Sequence, residues 1–388
     1  MSGINVIDLF CGTGGFAHGF LMHERNFRLV YAIDSNPYAT QTAQANHPLC
    51  RVDTRDIQDV SVQRLDAELG RPQIDLIIGG PPCQGFSSLR PNRASNNNDQ
   101  RNSLFLSFAR FVEHFRPKCF VLENVVGLVT HNRGSTLRHV CNAFSQLGYS
   151  SDWRILNAAH YGVPQKRERF ILIGRRDGQA IAFPTPTHFY DGRVIGYRDK
   201  RRHVVGSPDK PAALTVNDAI DDLPPLQRGE RANHYSRAPG NAYQRLLRGQ
   251  KQTLTLHKAA NHSDKMLEVI KHAGDNIKCI PPHLITSGFS SCYSRLRPDA
   301  PSTTITVKFQ SPASNKCIHP VQDRTITPRE AARIQSFPDA YAFCGSLTQI
   351  AAQLGNAVPP VLGMAVSKPV LEMIDCQRET AARYRGER

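Results

Sequence analysis

With 388 residues, 40% of them hydrophobic and 21% charged, the chain is long enough to bury a substantial core, and two domains are expected. Its 48 Lys and Arg against 33 Asp and Glu leave a net charge of +15, which disfavours a basic partner and points to a polyanion, nucleic acid before anionic membrane. Ten cysteines without a Cys-x-x-Cys pair or a zinc-type Cys/His spacing, and no apolar run near 18 residues, argue against a disulfide scaffold, a zinc module and a membrane span.

Taken in order, Ile4 to Phe10 reads as a strand that turns through Cys11-Gly12-Thr13-Gly14-Gly15-Phe16 into a helix. Glycines at such a turn let backbone approach a ligand, and the helix start behind them favours polar or anionic groups. Gly12, Gly14 and Ala17 also fit a loose dinucleotide-binding fingerprint, a weak signal alone. A second strand, Leu29 to Ile33, ends in Asp34, the usual place for a carboxylate that binds ribose hydroxyls, with helix capping as the competing role. A weaker strand over 51–57 carries Asp53 and Asp56; either can meet an adenine edge, and one of the two is expected to be only a loop carboxylate.

The stretch 74–88 organises the rest. An isoleucine-rich run closed by Gly79-Gly80-Pro81-Pro82 reads as a buried parallel strand, which sets Cys83 just beyond its carboxyl end. Ligands bind at that edge of open α/β sheets, so Cys83 is a candidate nucleophile as much as a structural thiol. The polar segment 88–102, with Arg90, Arg93 and Arg101, cannot bury a core and reads as a lid beside it. A helix over 104–115 and a strand over 119–122 lead to Glu123, a carboxylate at the end of another strand; burial there raises its pKa and suits it to hold a proton. Further on come a helix over 137–147 and strands over 149–157 and 170–174. The alternation of Gln165, Arg167 and Arg169 is expected to align three polar side chains on one strand face.

Together, Asp8-Leu-Phe-Cys-Gly-Thr-Gly-Gly-Phe16, Gly80-Pro-Pro-Cys-Gln-Gly-Phe-Ser87, Glu123-Asn-Val125, Gln165-Lys-Arg-Glu-Arg169 and Gln353-Leu-Gly-Asn-Ala-Val-Pro359 resemble, in order, the motifs of DNA (cytosine-5)-methyltransferases. The resemblance covers nearly all of the chain except roughly 176–287. It implies an α/β fold, a Rossmann-like sheet of the S-adenosylmethionine-dependent methyltransferase type, with a smaller and irregular target recognition domain. The catalytic domain is expected to be discontinuous, over 1–187 and 347–388, with recognition domain and hinge over 188–346.

The same resemblance implies Cys83 as the nucleophile on C6 of a flipped cytosine, Glu123 on N3 and the exocyclic amine, and Arg169 on O2, supported by Arg167. It places Phe10, Gly12, Gly14, Gly15, Asp34, Asp56, Ile57, Pro82, Leu104 and Asn356 around S-adenosyl-L-methionine, and Gln84, Ser87, Arg90, Arg93 and Gln165 on DNA. Ser35 stands where a larger ring-stacking residue is common. No metal is expected. Between 176 and 300, nineteen Lys and Arg against twelve Asp and Glu, with clusters such as Lys200-Arg201-Arg202, suit salt-sensitive phosphate contacts.

The expected protein is a cytoplasmic monomer acting on double-stranded DNA, with a functional partner in a cognate restriction endonuclease. A tRNA-modifying relative with the same core is the alternative. A nicotinamide-dependent oxidoreductase would leave Cys83, Glu123 and the arginines unexplained.

Overall fold

The computed structural model describes residues 3–23, 27–82, 102–194, 196–285 and 288–386. The amino-terminal half alternates strands and helices: β1 (Ile4–Leu9), α1 (Gly15–Leu21), β2 (Phe27–Asp34), α2 (Pro37–Asn46), β3 (Arg51–Thr54), α3 (Val62–Glu68), β4 (Leu76–Gly79), α4 (Asn102–Phe115) and β5 (Cys119–Asn124). There follow α5 (Gly127–Thr130), α6 (Ser135–Gln146), β6 (Ser150–Asn157), β7 (Glu168–Arg175) and the short β8 (His203–Val204). The remainder is mostly irregular around α7 (Val216–Ile220), α8 (Ala242–Arg248), α9 (Asp264–Lys271) and α10 (Pro328–Ile334). It returns through α11 (Leu347–Asn356) and α12 (Pro360–Gly386).

The eight strands form one sheet in the order β3-β2-β1-β4-β5-β7-β6-β8. β1 to β5 pair in parallel, and β7 runs antiparallel to both β5 and β6. Strand order reverses direction between β1 and β4, the switch point where open α/β sheets bind ligands. β1 shows why both faces are covered: Ile4 and Val6 enter one core with α1 and α12, while Ile7 and Leu9 enter the other with α3, α4 and α6. On that second face α4 contributes Phe105, Phe108, Phe111 and Val112, a helical stripe that meets Phe120 of β5 and Phe144 of α6.

A third core joins α7, α8, α10 and α11. Thr327 caps α10 and Glu330 reaches back to complete a capping box, with Pro328 in the first turn. This core also encloses charge. Arg333 bridges Asp339 (2.6 Å) and Asp222 (2.8 Å), and Arg324 holds Glu330 (2.7 Å). The chain passes between cores at Ala357 and Val358, the former in the third core and the latter in the sheet core. Helix α11, which the expected boundary at 347 puts with the catalytic residues, has Ile350, Ala351 and Leu354 in this third core, the core of a second unit, while its Gln353 accepts from Thr42 of α2 at 2.7 Å.

One described stretch, 347–380, does reach the length and apolarity of a membrane span, contrary to the reading of the sequence, but 72% of its most apolar window is buried inside the protein. The helix α12, which overlaps this stretch, packs on α1 at glycine–glycine distance. A Cβ on Gly19 would overlap the Pro360 carbonyl and lie 2.7 Å from the Gly363 Cα. Gly19→Ala is expected to destabilise the protein by about 2 kcal/mol, the overpacking cost exceeding the gain in helix propensity, as read from urea unfolding midpoints.

Candidate active site

The carboxyl ends of β1, β2, β4 and β5 lie along one sheet edge, and because β7 is antiparallel its amino end joins them. In that register Glu123 pairs with Ile171 and Asn124 with Phe170. Arg169, one residue earlier, therefore reaches Glu123, its Nε 2.7 Å from Oε1. Both side chains are nearly enclosed. Burial pushes the Glu123 carboxyl above its usual range, and Arg169, then Arg167, pull it back. The result is a carboxyl able to hold a proton and to give one up.

The strand before Cys83 is fastened to this pair. Asn124 Nδ2 donates to the Pro81 carbonyl at 3.1 Å, and a Cβ on Gly80 would stand 2.7 Å from Glu123 Oε2. Gly80 is thus required for the carboxylate to lie against the chain, and Pro81 is anchored two residues ahead of position 83. Cys83 itself, with Gln84, Ser87, Arg90, Arg93 and the expected lid, lies outside the described residues.

Arg167 and Gln165 behave differently from the expectation. β7 begins at Glu168, so the two precede the strand and do not share a face with Arg169. Arg167 is 1% exposed and donates to the carbonyls of Ile305 (3.2 Å) and Gly355 (2.9 Å). It supports the site from behind by linking β7 to the segment at 305 and the end of α11. Gln165 is fully enclosed: its Oε1 accepts from Ile305 N (3.0 Å) and its Nε2 donates to Gln335 Oε1 (3.0 Å). The resemblance puts Gln165 on DNA; in the structure no surface of it faces outward.

At the β1–β2 end of the edge a pocket is lined by Phe10, Ile33, Asp34, Ser35, Arg55, Asp56, Ile57, Pro82 and Leu104. Six of the ten expected cofactor residues meet there. Phe10 is held at φ 59°, an uncommon conformation for an aromatic residue, and this turns the chain at the end of β1. Asp34 accepts from the amides of Gly12 (2.9 Å) and Asn36 (2.8 Å), so one carboxylate ties the two loops. Burial raises its pKa and those amides lower it.

The three glycines divide. Gly12, at φ 51°, has nothing within 4 Å of a would-be Cβ and fronts open space. Gly14 and Gly15 are instead pressed by His47, Tyr341 and Phe337, so their missing side chains make room for protein. Asn356 ends α11, exposed, and does not line the pocket. Of the two acidic candidates, Asp56, just past β3, lines the pocket and caps the turn at Gln58 (2.9 Å). Asp53 lies within β3, does not line the pocket, and is bound by Tyr31, Arg51 and Arg55. Sequence reasoning missed Asn124 and Arg55, although each adjoins a residue it had singled out.

A pocket lined by Phe10, Ile33, Ile57, Pro82 and Leu104 together with the carboxylates of Asp34 and Asp56, and with the Gly12 turn tied to Asp34, suits an adenosine-bearing group. The profile of a family described as C-5 cytosine-specific DNA methylase matches residues 4–372. The Type II methyltransferase M.AgeI of Thalassovita gelatinovora is 34% identical, over 95% of this chain and 99% of its own. M1.HphI of Haemophilus parahaemolyticus is 36% identical, over 95% and 87%. Among solved structures, a prophage-encoded chain described as a DNA modification methyltransferase (E. coli) superposes with a TM-score of 0.74 at 24% identity, over 96% of this chain and all of its own. At that identity the likeness concerns the fold.

Three expected outcomes follow from the geometry. Glu123→Gln should lower the catalytic rate at least about a hundredfold. Because the folded-state pKa of Glu123 lies above the unfolded value, its contribution to stability is full below the ordinary value of 4.5 and lost as pH rises through the raised one. Urea midpoints should therefore show wild type losing stability relative to Glu123→Gln as pH climbs from about 4.5 toward neutrality. Gln165→Leu should cost about 1–3 kcal/mol by orphaning the Ile305 amide, while DNA affinity in a gel-shift titration stays within about a factor of two.

Proposed function

The chain belongs to the C-5 cytosine-specific DNA methylase family and is a DNA (cytosine-5)-methyltransferase, and from that premise we propose how its residues divide the reaction. S-adenosyl-L-methionine supplies an electrophilic methyl group for C5 of the target base. Its adenosine would rest in the pocket of Phe10, Asp34, Asp56, Ile57, Pro82 and Leu104, with the Gly12 turn beside the methionine part.

C5 of cytosine is too weak a nucleophile to accept a methyl group unaided. The Cys83 thiolate adds to C6, and the electron pair of the 5,6 double bond moves toward C5 and the N3–O2 side of the ring. Glu123 holds N3 and the exocyclic amine and supplies the proton that neutralises charge there, which its raised pKa supports. Arg169, paired to Glu123, meets the developing charge on O2. After C5 has gained its methyl group, loss of the C5 proton re-forms the double bond and expels the sulfur. Arg167 does not touch the base in this reading; it positions the strand that carries Arg169.

Reaching a base inside a duplex requires flipping it out, at an unstacking cost of a few kcal/mol. The basic second unit and the segment with Ser87, Arg90 and Arg93 would supply the DNA contacts. Type II relatives point to a restriction–modification setting, with a cognate endonuclease cutting the unmodified site and this chain acting in the cytoplasm.

The observation that carries the reading is the Glu123–Arg169 pair, held against the Gly80–Pro81 segment just ahead of Cys83. Bisulfite sequencing of DNA from cells expressing the protein should reveal methylated cytosines at one sequence. Cys83→Ser should retain DNA binding and lose methyl transfer, and wild type should form a covalent adduct with 5-fluorocytosine DNA. Full activity of the serine variant would refute the nucleophile.

A further inference from the structure

We propose that Arg55 is a donor-recognition residue, its guanidinium forming the outer wall over the adenine ring and held in place by Asp53; this rests on the cofactor pocket proposed above. The backbone fixes its position first. β2 and β3 pair with Asp34 opposite Thr54, and the Arg55 amide, one residue past that pairing, donates to the Asp34 carbonyl at 3.1 Å. The residue is thereby locked beside Asp34 and Ser35.

The side chain then presents a puzzle. Among the described residues Arg55 is the one cation lining a pocket that also contains the carboxylates of Asp34 and Asp56, yet its ion pair goes to Asp53. Asp53 is itself a fixed post: the Tyr31 hydroxyl donates to it at 3.0 Å, and Arg51, anchored by Glu68 at 2.8 Å, contacts it at 3.3 Å. Meanwhile Asp34 receives backbone amides and Asp56 caps the turn at Gln58.

This arrangement keeps the guanidinium from neutralising the pocket's carboxylates, which stay available to hydroxyl and amine donors of the ligand. It also leaves a flat cation in the same lining as Ile33, Ile57, Leu104 and Ser35, the last with a side chain too short to cover a ring. A planar guanidinium stacks on a π face far better than an ammonium does. Arg55 thus supplies the ring cover that Ser35 cannot, and Asp53 is its positioning residue.

The test uses calorimetric titration of the full-length enzyme with S-adenosylhomocysteine and with 5′-methylthioadenosine. Arg55→Met should weaken both by about tenfold, as expected for loss of a stacked cation at the adenosine end. Arg55→Lys should restore only part of the loss. Asp53→Asn should weaken binding by about threefold alone, and by nothing more when added to Arg55→Met. At saturating donor kcat should be retained while KM for S-adenosylmethionine rises, the signature of uniform binding.

Arg55 is an exposed residue in a surface ion pair, so its variants are expected to unfold at wild-type urea midpoints. Wild-type affinity in Arg55→Met, or full recovery in Arg55→Lys, would overturn the stacking role, and additive losses in the double variant would overturn the role of Asp53. Failure of the wild-type enzyme to bind S-adenosylhomocysteine would instead refute the cofactor pocket itself.

Discussion

A guanidinium that is 1% exposed cannot shed its charge, and Arg167 carries one into the place where the sheet meets the second unit. Its hydrogen bonds go to two carbonyls, Ile305 and Gly355, which lie 138 and 188 residues away along the chain. Burial and the like charge of Arg169 both act against it, and Glu123 is the compensating carboxylate. The carboxyl that would serve the substrate base is therefore also the counter-charge for two enclosed arginines. Removing Arg169 or Arg167 changes the proton affinity of Glu123 as well as the packing around it, so the chemistry and the join between units cannot be tuned separately.

That electrostatic triangle exists because one strand runs the wrong way. In a wholly parallel sheet the residue at the start of a strand sits on the edge opposite the ligands. Inserting β7 antiparallel beside β5 brings the start of β7 to the carboxyl edge, and the register then fixes Arg169 one step beyond the Asn124–Phe170 pair. The acid comes from the end of one strand and the cation from the start of its neighbour, both on regular structure. Their geometry is set by ladder hydrogen bonds more than by loops.

Much of this was legible from local signals. The isoleucine-rich β4, the glycine turn after β1, Asp34 ending β2 and Glu123 near the end of β5 are short-range patterns. What failed was the step from alternation to a shared face. Gln165, Arg167 and Arg169 are spaced like a strand, but β7 starts at Glu168, and the two earlier residues take partners at Ile305, Gln335 and Gly355. Partners that distant leave no trace in the spacing of a five-residue motif. The core that α11 joins is hidden for the same reason: its amphipathic pattern shows that one face is buried but not against what. The choice between Asp53 and Asp56 likewise waited on Tyr31, whose hydroxyl claims the former.

The donor loop is the other place where the two units meet. Tyr341 of the third core donates its hydroxyl to the Thr13 carbonyl at 2.5 Å, and a Cβ on Gly15 would stand 2.7 Å from the Phe337 ring and 3.0 Å from the Val358 carbonyl. The turn Gly12-Thr13-Gly14-Gly15 is therefore clamped: a Cβ on Gly12 would meet open space, Thr13 and Gly15 face the segment that follows α10, and Gly14 lies against His47 and Tyr341. A side chain at position 15 would have to push that segment away and one at 14 would press His47 first, so the glycines there preserve packing within the protein as much as an approach to a ligand. Because the same unit also grips Arg167 through Ile305 and Gly355, it touches the sheet edge at both of its working ends, the donor turn and the catalytic pair. A shift of the second unit on binding a large polyanion would be transmitted to both at once, through contacts packed too closely to absorb it.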